Sequence, residues 1–426
     1  MPGYKQTEVG LIPEDWNTHV LRDCCSKVTD GTHDTPTPVR MGCPYLTAIH
    51  VKDNRIDFDS CLYLTETDHR AIYRRCDPKR NDVLMVNIGA GVATAALVNV
   101  DFEFSLKNVA LLKPDSRKLS GPFLSYILAH RKPEITKDLS SGGAQPFLSL
   151  NQIGGIEIPV PPTKAEQEAI AESLSQADAL VESIEQLIAK KVQIKRAAMQ
   201  ELLTGKKRLV GFAQTTSKVS EIGPVPCEWS VLEIGQIADV KTGPFGSSLH
   251  ERDYVDDGIP IITVEHLGDR GITHANLPMV SEIDRKRLNA YTLQEGDIVF
   301  SRVGSVDRNA RVSGKEAGWL FSGRLLRVRA SFRDVDTRFL SHQFHSEAFK
   351  QRVRTVAVGQ TMASLNTQIL RGVLVSLPSI TEQTAIADVL SDMDQEIAEN
   401  EARLEKARDL KKGMMQELLT GRIRLV

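Results

Sequence analysis

Apolar residues recur at alternating steps of four and three along two stretches of the chain. The first stretch, residues 163–203, contains no glycine or proline, and its stripe passes through Ile170, Leu174 and Ile184. The same stripe begins again 216 residues later, at Ile386. An average period of 3.5 residues is typical of helices that wrap on one another. The pattern predicts two long helices, each about 60 Å in length, that pack antiparallel.

Both predicted helices have the same start signal. Thr163 with Glu166, and Ser379 with Glu382, match the pattern of a capping box, in which hydroxyl and carboxylate each bond the other residue's backbone N–H. Lysines interrupt the stripe toward the C-terminal ends of the helices: Lys191, Lys195 and Lys411. We expect these lysines to weaken the packing there.

One uncharged stretch reaches the length of a membrane-spanning helix. Residues 83–100 carry no charge, but Asn87 and Gly89 interrupt a run that is rich in valine. The matching stretch of the second half, residues 297–314, contains five charged side chains, among them Arg302. Two copies of one fold should not differ in crossing a membrane, so we interpret each stretch as two buried strands around a glycine turn.

The two halves of the chain share a set of anchor segments. The segment MQELLTGKKRLV at 199–210 returns as MQELLTGRIRLV at 415–426, with ten of twelve residues identical. Three shorter anchors recur: E-x-G-x-x-P-x-x-W at 8–16 and 221–229, P-x-x-x-E-Q at 162–167 and 378–383, and SLN at 149–151 and 364–366. Between the anchors, identity nearly vanishes. The pattern indicates one scaffold used twice with two different binding surfaces.

The distribution of charge along the chain is more informative about binding partners than the net charge. The 426 residues carry a net charge of only −2, yet residues 285–354 hold fifteen Lys and Arg against seven Asp and Glu. Such a local excess is what a phosphate-facing surface needs, although solvated basic faces are also common. A chain of this length is expected to form at least two domains.

Cysteine usage and the N-terminal segment predict a cytoplasmic protein. The six cysteines form no C-x-x-C motif, which favours reduced thiols over a zinc site. The first ten residues, MPGYKQTEVG, contain no apolar signal segment. His342 and His345 would share one helix face but lack a third ligand nearby, so no metal is expected.

These anchors, in their doubled arrangement, closely resemble the specificity subunit of Type I restriction–modification systems from end to end. The resemblance implies two target recognition domains, each reading one half of a split, asymmetric duplex DNA sequence. It also implies helices that space the domains and dock two modification subunits, with restriction/translocase subunits joining the full complex. The expected fold class is α+β: two mixed α/β recognition domains, related by an internal repeat and separated by two long antiparallel coiled-coil helices.

Four segments follow from this interpretation. We expect recognition domains at 1–160 and 217–377, and helical spacers at 161–216 and 378–426. The chain contains neither an Asn-Pro-Pro-aromatic methylation signature nor a G-x-x-x-x-G-K-[ST] loop. It is therefore expected to be non-catalytic and to bind no cofactor. The alternatives are a duplicated coiled-coil protein scaffold and a self-sufficient methyltransferase or nuclease.

Candidate DNA-contacting residues lie at matched positions of the two halves. They combine hydrogen-bonding and cationic side chains on loops, as base and phosphate contacts require. The first half supplies Thr29, Thr32, His33, Asn87, Lys107 and Gln145, and the second supplies Lys241, Ser247, Ser248, Arg302, Arg324 and Gln360. Asn87 and Arg302 are equivalent, and a change from Asn to Arg would shift preference from adenine to guanine. The alternative is that both residues only cap the glycine turn.

Overall fold

The computed structural model describes residues 3–137, 146–213, 216–244, 249–331, 334–357 and 363–425. The chain divides into two compact units. The first unit combines Met1–Glu185 with Arg403–Val426, and the second is Gln186–Ala402. The boundaries of the units fall inside the two long helices, so each unit contains one mixed α/β domain and a part of both helices.

The two long helices run Lys164–Leu202 and Ile380–Leu418, each 39 residues. The predicted start and end are therefore confirmed to within about one residue. Ile170, Leu174 and Ile184 are buried, as the apolar stripe requires. No helix in the described ranges is long and apolar enough to cross a membrane.

Ion pairs show the antiparallel packing inside the first unit. Lys411 lies 2.5 Å from Asp178, and Arg408 lies 2.5 Å from Glu185. As the residue number falls along one helix, it rises along the other. Leu418 and the following leucine complete the packing, because they lie in the same apolar core as the start of the first helix.

The second unit repeats this arrangement. Lys195 lies 2.5 Å from Asp394, and Lys191 lies 2.6 Å from Glu396. Lys195 and Asp394 stand at the positions that Lys411 and Asp178 occupy in the first unit. Each stripe lysine places its ammonium beside a carboxylate of the facing helix, a contact that the apolar pattern does not reveal, and the expected weakening of the packing stays a prediction.

The first unit contains a four-stranded antiparallel sheet and a smaller mixed sheet. The order of the larger sheet is Ala95–Leu97, Val83–Val86, Val109–Pro114, Cys25–Asp30, and that of the smaller is Ser105–Lys107, Cys43–Thr47, Leu62–Leu64. The remaining strands are Tyr4–Thr7, Gly10–Pro13, Asn17–Val20, Val51–Lys52, Arg55–Ile56 and Glu157–Val160. Its short helices are Leu21–Cys24, Ala48–His50 (3-10), Glu66–Cys76, Gly121–Thr136 and Leu150–Gly154.

The second unit has a four-stranded sheet of the same pattern. Its order is Ala238–Thr242, Leu325–Ala330, Ile298–Ser301, Asn309–Arg311, and a second sheet joins Tyr254–Val255, Met279–Val280, Ile259–Ile262 and Leu320–Phe321. The other strands are Ser217–Ser220, Gly223–Pro226, Ser230–Glu233, Leu267–Gly268, Gly271–Ile272 and Leu374–Leu377. Its short helices are Ile234–Ile237, Glu251–Asp253 (3-10), Val264–His266 (3-10), Glu282–Arg287, Asn289–Tyr291 (3-10), Thr337–His345, Glu347–Val356 and Thr367–Arg371.

The uncharged stretch 83–100 forms two paired strands. Val83–Val86 and Ala95–Leu97 run antiparallel, with Met85 opposite Ala95. All four residues of Val83–Val86 are buried. The interpretation as two core strands around a glycine turn is confirmed, and the absence of charge reflects burial on both faces of the sheet.

The repeated anchors meet at one buried ion pair in each unit, which we call the clasp. In the first unit, Arg424 from the closing anchor bonds Glu166 at the start of the long helix, with Nη2 to Oε2 at 2.8 Å. The same guanidinium binds both carboxylate oxygens of Asp15 at 2.9 Å. The bonds to Glu166 and Asp15 raise the pKa of Arg424, and the Arg424 bond lowers the pKa of Asp15.

The clasp of the second unit uses the matching residues. Arg208 bonds Glu382, with Nη2 to Oε2 at 2.7 Å, and also reaches Glu228 at 3.3 Å. The indole N–H of Trp229 donates to Glu382 at 3.3 Å. Glu382 is buried, so its charge is stable there only with these donors.

The clasp changes the predicted capping box. The Thr163 hydroxyl accepts from the Glu166 N–H at 3.2 Å, and the Ser379 hydroxyl accepts from the Glu382 N–H at 3.4 Å, as expected. The glutamate carboxylates bind the clasp arginines, whereas the box requires them to return to the helix start. An arginine is a stronger partner for the carboxylate than a backbone N–H, because the N–H groups of the guanidinium carry positive charge.

The glycine of each closing anchor is required by both backbone and space. Gly205 and Gly421 have φ of +67° and +70°. A Cβ on Gly205 would lie 2.4 Å from Pro226 Cγ, and one on Gly421 would lie 2.5 Å from Pro13 Cγ. The anchors therefore pack as one motif, with the end of a long helix against the E-x-G-x-x-P-x-x-W segment.

One sequence match was out of register. Ser149 caps the helix Leu150–Gly154, and its structural counterpart is Asn366, which caps Thr367–Arg371. The two SLN triplets are therefore not superimposed. The capping role is kept by serine in one unit and asparagine in the other, both of which accept from a backbone N–H three residues on.

Replacing the clasp arginine should destabilise the first unit. The variant Arg424→Met leaves the charge of Glu166 buried without its partner, which costs about 3–5 kcal/mol. Urea unfolding of the isolated chain should show this loss. The double variant Arg424→Met/Glu166→Gln should recover most of it, because the amide carries no charge; equal losses in both variants would contradict the clasp.

Candidate nucleic-acid interface

The first predicted loop leaves the larger sheet and crosses to the smaller one. Gly31 donates its N–H to Val109 O at 3.2 Å, and Thr32 donates its N–H to Leu106 O at 2.8 Å. A Cβ on Gly31 would lie 1.9 Å from Leu106 O. Glycine is therefore needed for the chain to pass this close to the neighbouring strand.

Three of the predicted residues lie together beside this loop. Thr32 pairs with Lys107 in an isolated parallel bridge, and the Lys107 ammonium donates to Thr35 Oγ1. His33 Nδ1 lies 2.9 Å from Asn108 Oδ1, and its Nε2 lies 2.9 Å from Asp30. Thr32, His33 and Lys107 thus form one polar cluster, in which the His33 side chain is 58% exposed.

Two other predicted residues of the first unit are buried. Thr29 is 9% exposed within the strand Cys25–Asp30. Asn87 is 2% exposed, its carbonyl accepts from Leu148 N at 2.8 Å, and its Oδ1 has no hydrogen-bond partner among the described residues. Thr32 is itself only 7% exposed, so burial sets Thr29, Thr32 and Asn87 apart from His33 and Lys107.

The second unit builds its loop on the same glycine. Gly243 donates its N–H to Leu325 O at 3.1 Å, and a Cβ there would lie 2.2 Å from Ser322 O. Lys241 precedes it, with its ammonium donating to Ala290 O at 2.8 Å and lying 4.6 Å from the centre of the Tyr291 ring. Those contacts hold Lys241 against the fold and satisfy part of its hydrogen bonding.

A groove of about 720 Å³ lies beside this loop. Its walls include Pro244, Glu265, Arg308 and Arg324, and Arg324 is exposed. Arg302 lies on the neighbouring segment, because its N–H donates to Arg324 O at 2.8 Å. The structure therefore brings Arg302 and Arg324 together at one side of the unit.

Arg302 and Asn87 occupy equivalent backbone positions. The carbonyl of each accepts from a leucine N–H at 2.8 Å, Leu148 for Asn87 and Leu365 for Arg302. Arg302 is half-buried, whereas Asn87 is buried. The predicted equivalence holds, and the two side chains differ in exposure as well as in chemistry.

Four predicted residues lie outside the described residues. They are Gln145, Ser247, Ser248 and Gln360.

Ion pairs offset part of the basic excess of residues 285–354. Seven of its cations lie close to carboxylates: Arg285, Arg287, Arg327, Arg329, Arg338, Lys350 and Arg354. Arg329 binds both oxygens of the buried Asp297, at 2.7 and 2.6 Å. Counting charges along the sequence overstated the cationic surface, because several of the partner carboxylates lie outside the counted window.

His342 and His345 have structural contacts. His342 Nε2 lies 3.3 Å from Ser391 Oγ, and His345 Nε2 lies 3.1 Å from Asn309 O. Burial lowers the pKa of His342 to about 3 and lowers the pKa of His345 as well. No group of three or more His, Cys, Asp or Glu suited to a metal occurs in the described part of the chain.

A second repeated motif inside the divergent interiors escaped the sequence comparison. G-x-P-x-x-T-x-x-H occurs at 42–50 and again at 258–266, at the same offset of 216. A Cβ on Gly42 would lie 2.1 Å from Leu64 O, and one on Gly258 would lie 2.2 Å from Val280 O. Alignment at the fixed offset would have revealed this motif, which lies next to the predicted loops.

Family and structural comparisons agree with this architecture. The sequence model of the family described as Type I restriction modification DNA specificity domain matches residues 70–193 and 226–407. These ranges cover most of the chain, which therefore belongs to this family. It is a non-catalytic DNA-recognition component of a type I restriction–modification system.

Similar proteins cover the chain from end to end. A Methanocaldococcus jannaschii protein provisionally named the MjaX specificity subunit of a type I restriction enzyme is 26% identical over 439 residues, covering 99% of this chain and 97% of its own. The MjaVIII specificity subunit of the same organism is 24% identical, covering 99% and 96%. A solved S subunit from M. genitalium has a TM-score of 0.61 at 15% identity, covering 98% of each chain, which shows a shared fold.

Substituting the loop glycine of the second unit should displace the loop. In Gly243→Ala the new methyl group meets a backbone carbonyl, and relief of such a clash costs about 1–3 kcal/mol. Thermal unfolding should show a loss of stability. The matched control is Gly413→Ala, where nothing lies within 4 Å in a helix interior, and which should stabilise the chain by about 1 kcal/mol. Equal behaviour of the two variants would contradict the close approach.

Proposed function

We propose that this chain recognises a bipartite, asymmetric duplex DNA sequence, with one half-site read by each unit. The observation that carries the proposal is the use of one scaffold twice with unlike side chains at matched positions. Asn87 and Arg302 show this pattern, since equivalent backbone contacts hold a buried amide in one unit and a half-buried guanidinium in the other. Two different half-sites require different side chains at matched backbone positions, because each base pair presents its own pattern of donors and acceptors.

The long helices are proposed to act as a coiled-coil spacer and as the docking surface for two modification subunits. Each helix is about 58 Å long at 1.5 Å per residue. A rod of that length can separate two recognition surfaces by one turn of duplex, roughly 34 Å. In this proposal the recognition domains are 1–160 and 217–377 and the spacers are 161–216 and 378–426.

In the full complex the chain is proposed to work in the cytoplasm with modification and restriction/translocase subunits. Methyl transfer to a base requires that the base leave the duplex stack and enter an active site. In this proposal the partner subunits perform that step, and this chain recognises the target sequence.

The polar residues around the glycine loops are proposed to contact DNA. In the first unit these are Thr32, His33 and Lys107, and in the second Lys241, Arg302 and Arg324. The remaining members of the proposed set are Thr29, Asn87, Gln145, Ser247, Ser248 and Gln360. For the buried Asn87, the alternative role as a cap of the glycine turn agrees with its low exposure.

The function can be tested with the purified chain and its partners. The chain alone, incubated with DNA and S-adenosylmethionine, should transfer no methyl group, whereas the complex with modification subunits should methylate a two-part sequence. Methyl transfer by the isolated chain would favour the self-sufficient enzyme. A complex that methylates without sequence preference would favour a scaffold that only assembles proteins.

Arg302→Ala should relax recognition in one half-site only. Loss of an arginine contact to guanine reduces discrimination at that base pair by about 1–3 kcal/mol. Sequencing of methylated positions in cells that make the complex would show the relaxed position. Equal relaxation in both half-sites, or in neither, would contradict a base-reading role for Arg302.

A further inference from the structure

Two matched turns present unlike side chains from the same backbone. The 3-10 turns Ala48–His50 and Val264–His266 each follow a threonine of the repeated motif. Thr47 donates its N–H to His50 Nδ1 at 2.9 Å, and Thr263 donates its N–H to His266 Nδ1 at 3.0 Å. The backbone bond to the imidazole closes both turns in the same way.

The histidines anchor the turns to the body of each unit. Nδ1 accepts, so the proton lies on Nε2, which faces Ser60 O at 3.2 Å in His50 and Ala275 O at 3.2 Å in His266. Both histidines are 2% exposed. Because both nitrogens of each ring have a hydrogen-bond partner, each histidine fixes its turn to the body of the unit.

The middle residue of each turn points to solvent. Ile49 is 70% exposed, and Glu265 stands at the same place in the second unit and is also exposed. The Glu265 carboxylate is oriented by the Thr263 hydroxyl, which donates to it at 2.8 Å. A fixed frame therefore carries an apolar group in one unit and an acceptor in the other.

Both turns adjoin the proposed DNA-contacting loops. In the first unit Thr47 stands opposite Lys107 in the parallel strand pairing, and Lys107 bridges to Thr32. In the second unit Glu265 lines the same groove as Arg308 and Arg324. The exposed isoleucine thus follows a strand that pairs with the strand of Lys107, and the exposed carboxylate shares a groove with Arg308 and Arg324.

We infer that Ile49 and Glu265 read bases and determine specificity, one in each half-site. This inference rests on the proposed function. An isoleucine side chain suits the C5-methyl group of thymine, and a carboxylate suits the N4 amino group of cytosine, both in the major groove. Ile49 accordingly reads an A·T pair, and Glu265 reads a G·C pair.

Charge supports the second assignment. A carboxylate that faced the phosphate backbone would be repelled by it, whereas an amino group on a base edge is a donor that a carboxylate accepts. Arg308 and Arg324 border the same groove, so phosphate binding has its cations there while Glu265 remains available for a base.

The test uses the complex with modification subunits and the two-part sequence that the unaltered complex methylates. Competition binding with duplexes that differ at one base pair measures discrimination at each position. Glu265→Gln should reduce discrimination by about 5- to 150-fold at a single G·C pair of one half-site. Ile49→Ala should reduce it in the same range at a single A·T pair of the other half-site.

The control is Glu221→Gln, which makes the same acid-to-amide change at an exposed position of the turn between the strands Ser217–Ser220 and Gly223–Pro226 of the same unit. It should leave every position unchanged. Thermal unfolding should show Glu265→Gln and Ile49→Ala as stable as the unaltered chain, since both side chains are exposed; Glu265→Ala serves as a second variant.

The outcomes separate the two proposals. An unaltered complex that recognises no two-part sequence overturns the proposed function. An unaltered complex that recognises one, with discrimination unchanged in Glu265→Gln and Glu265→Ala, overturns the role of Glu265 alone. Relaxation in the same half-site by Ile49→Ala and Glu265→Gln overturns the assignment of one turn to each half-site.

Discussion

The clasp between an arginine and a buried glutamate is the interaction on which each unit depends. It joins the end of one long helix to the start of the other and to the segment that follows the first strand pair of each unit. Glu166 and Glu382 lie almost fully inside the protein, where a carboxylate is unstable without a charged partner. Arg424 and Arg208 supply that partner, and the glycine at each helix end lets the proline and tryptophan pack against it. The most similar sequence segments of the two halves are therefore similar because they contact one another.

The long helices and the buried strands could be predicted from the sequence because their signals are local. The period and the caps predict Lys164–Leu202 and its partner within one residue, and the lack of glycine supports the first of the two helices. Valine-rich runs on either side of a glycine turn likewise predict Val83–Val86 and Ala95–Leu97. The partners of charged side chains are not a local property. The stripe lysines and the capping glutamates bind residues more than a hundred positions away, and no spacing rule reveals such pairs.

The candidate interface shows the same contrast between local signals, which the sequence reveals, and contacts between distant residues, which it does not. Gly31 and Gly243 mark matched crossings between two sheets, and a glycine beside polar residues was visible in the sequence. The burial of a side chain was not visible in the sequence. Asn87 and Thr29 were therefore predicted as DNA contacts, although their side chains lie inside the protein. The basic excess of residues 285–354 overstates the cationic surface for a further reason. Carboxylates outside that window, among them Asp239 and Asp269, fold onto its cations.

The division of the chain into units has a consequence for its synthesis on the ribosome. The second unit is the continuous segment Gln186–Ala402, so all of its residues are translated before Arg403–Val426. The first unit needs Arg403–Val426 in addition to its N-terminal part. Domains fold as units during translation, usually in the order in which they are made. Here the order is reversed: the domain that is translated first must wait, with the face that receives Arg424 uncovered, until the last helix arrives.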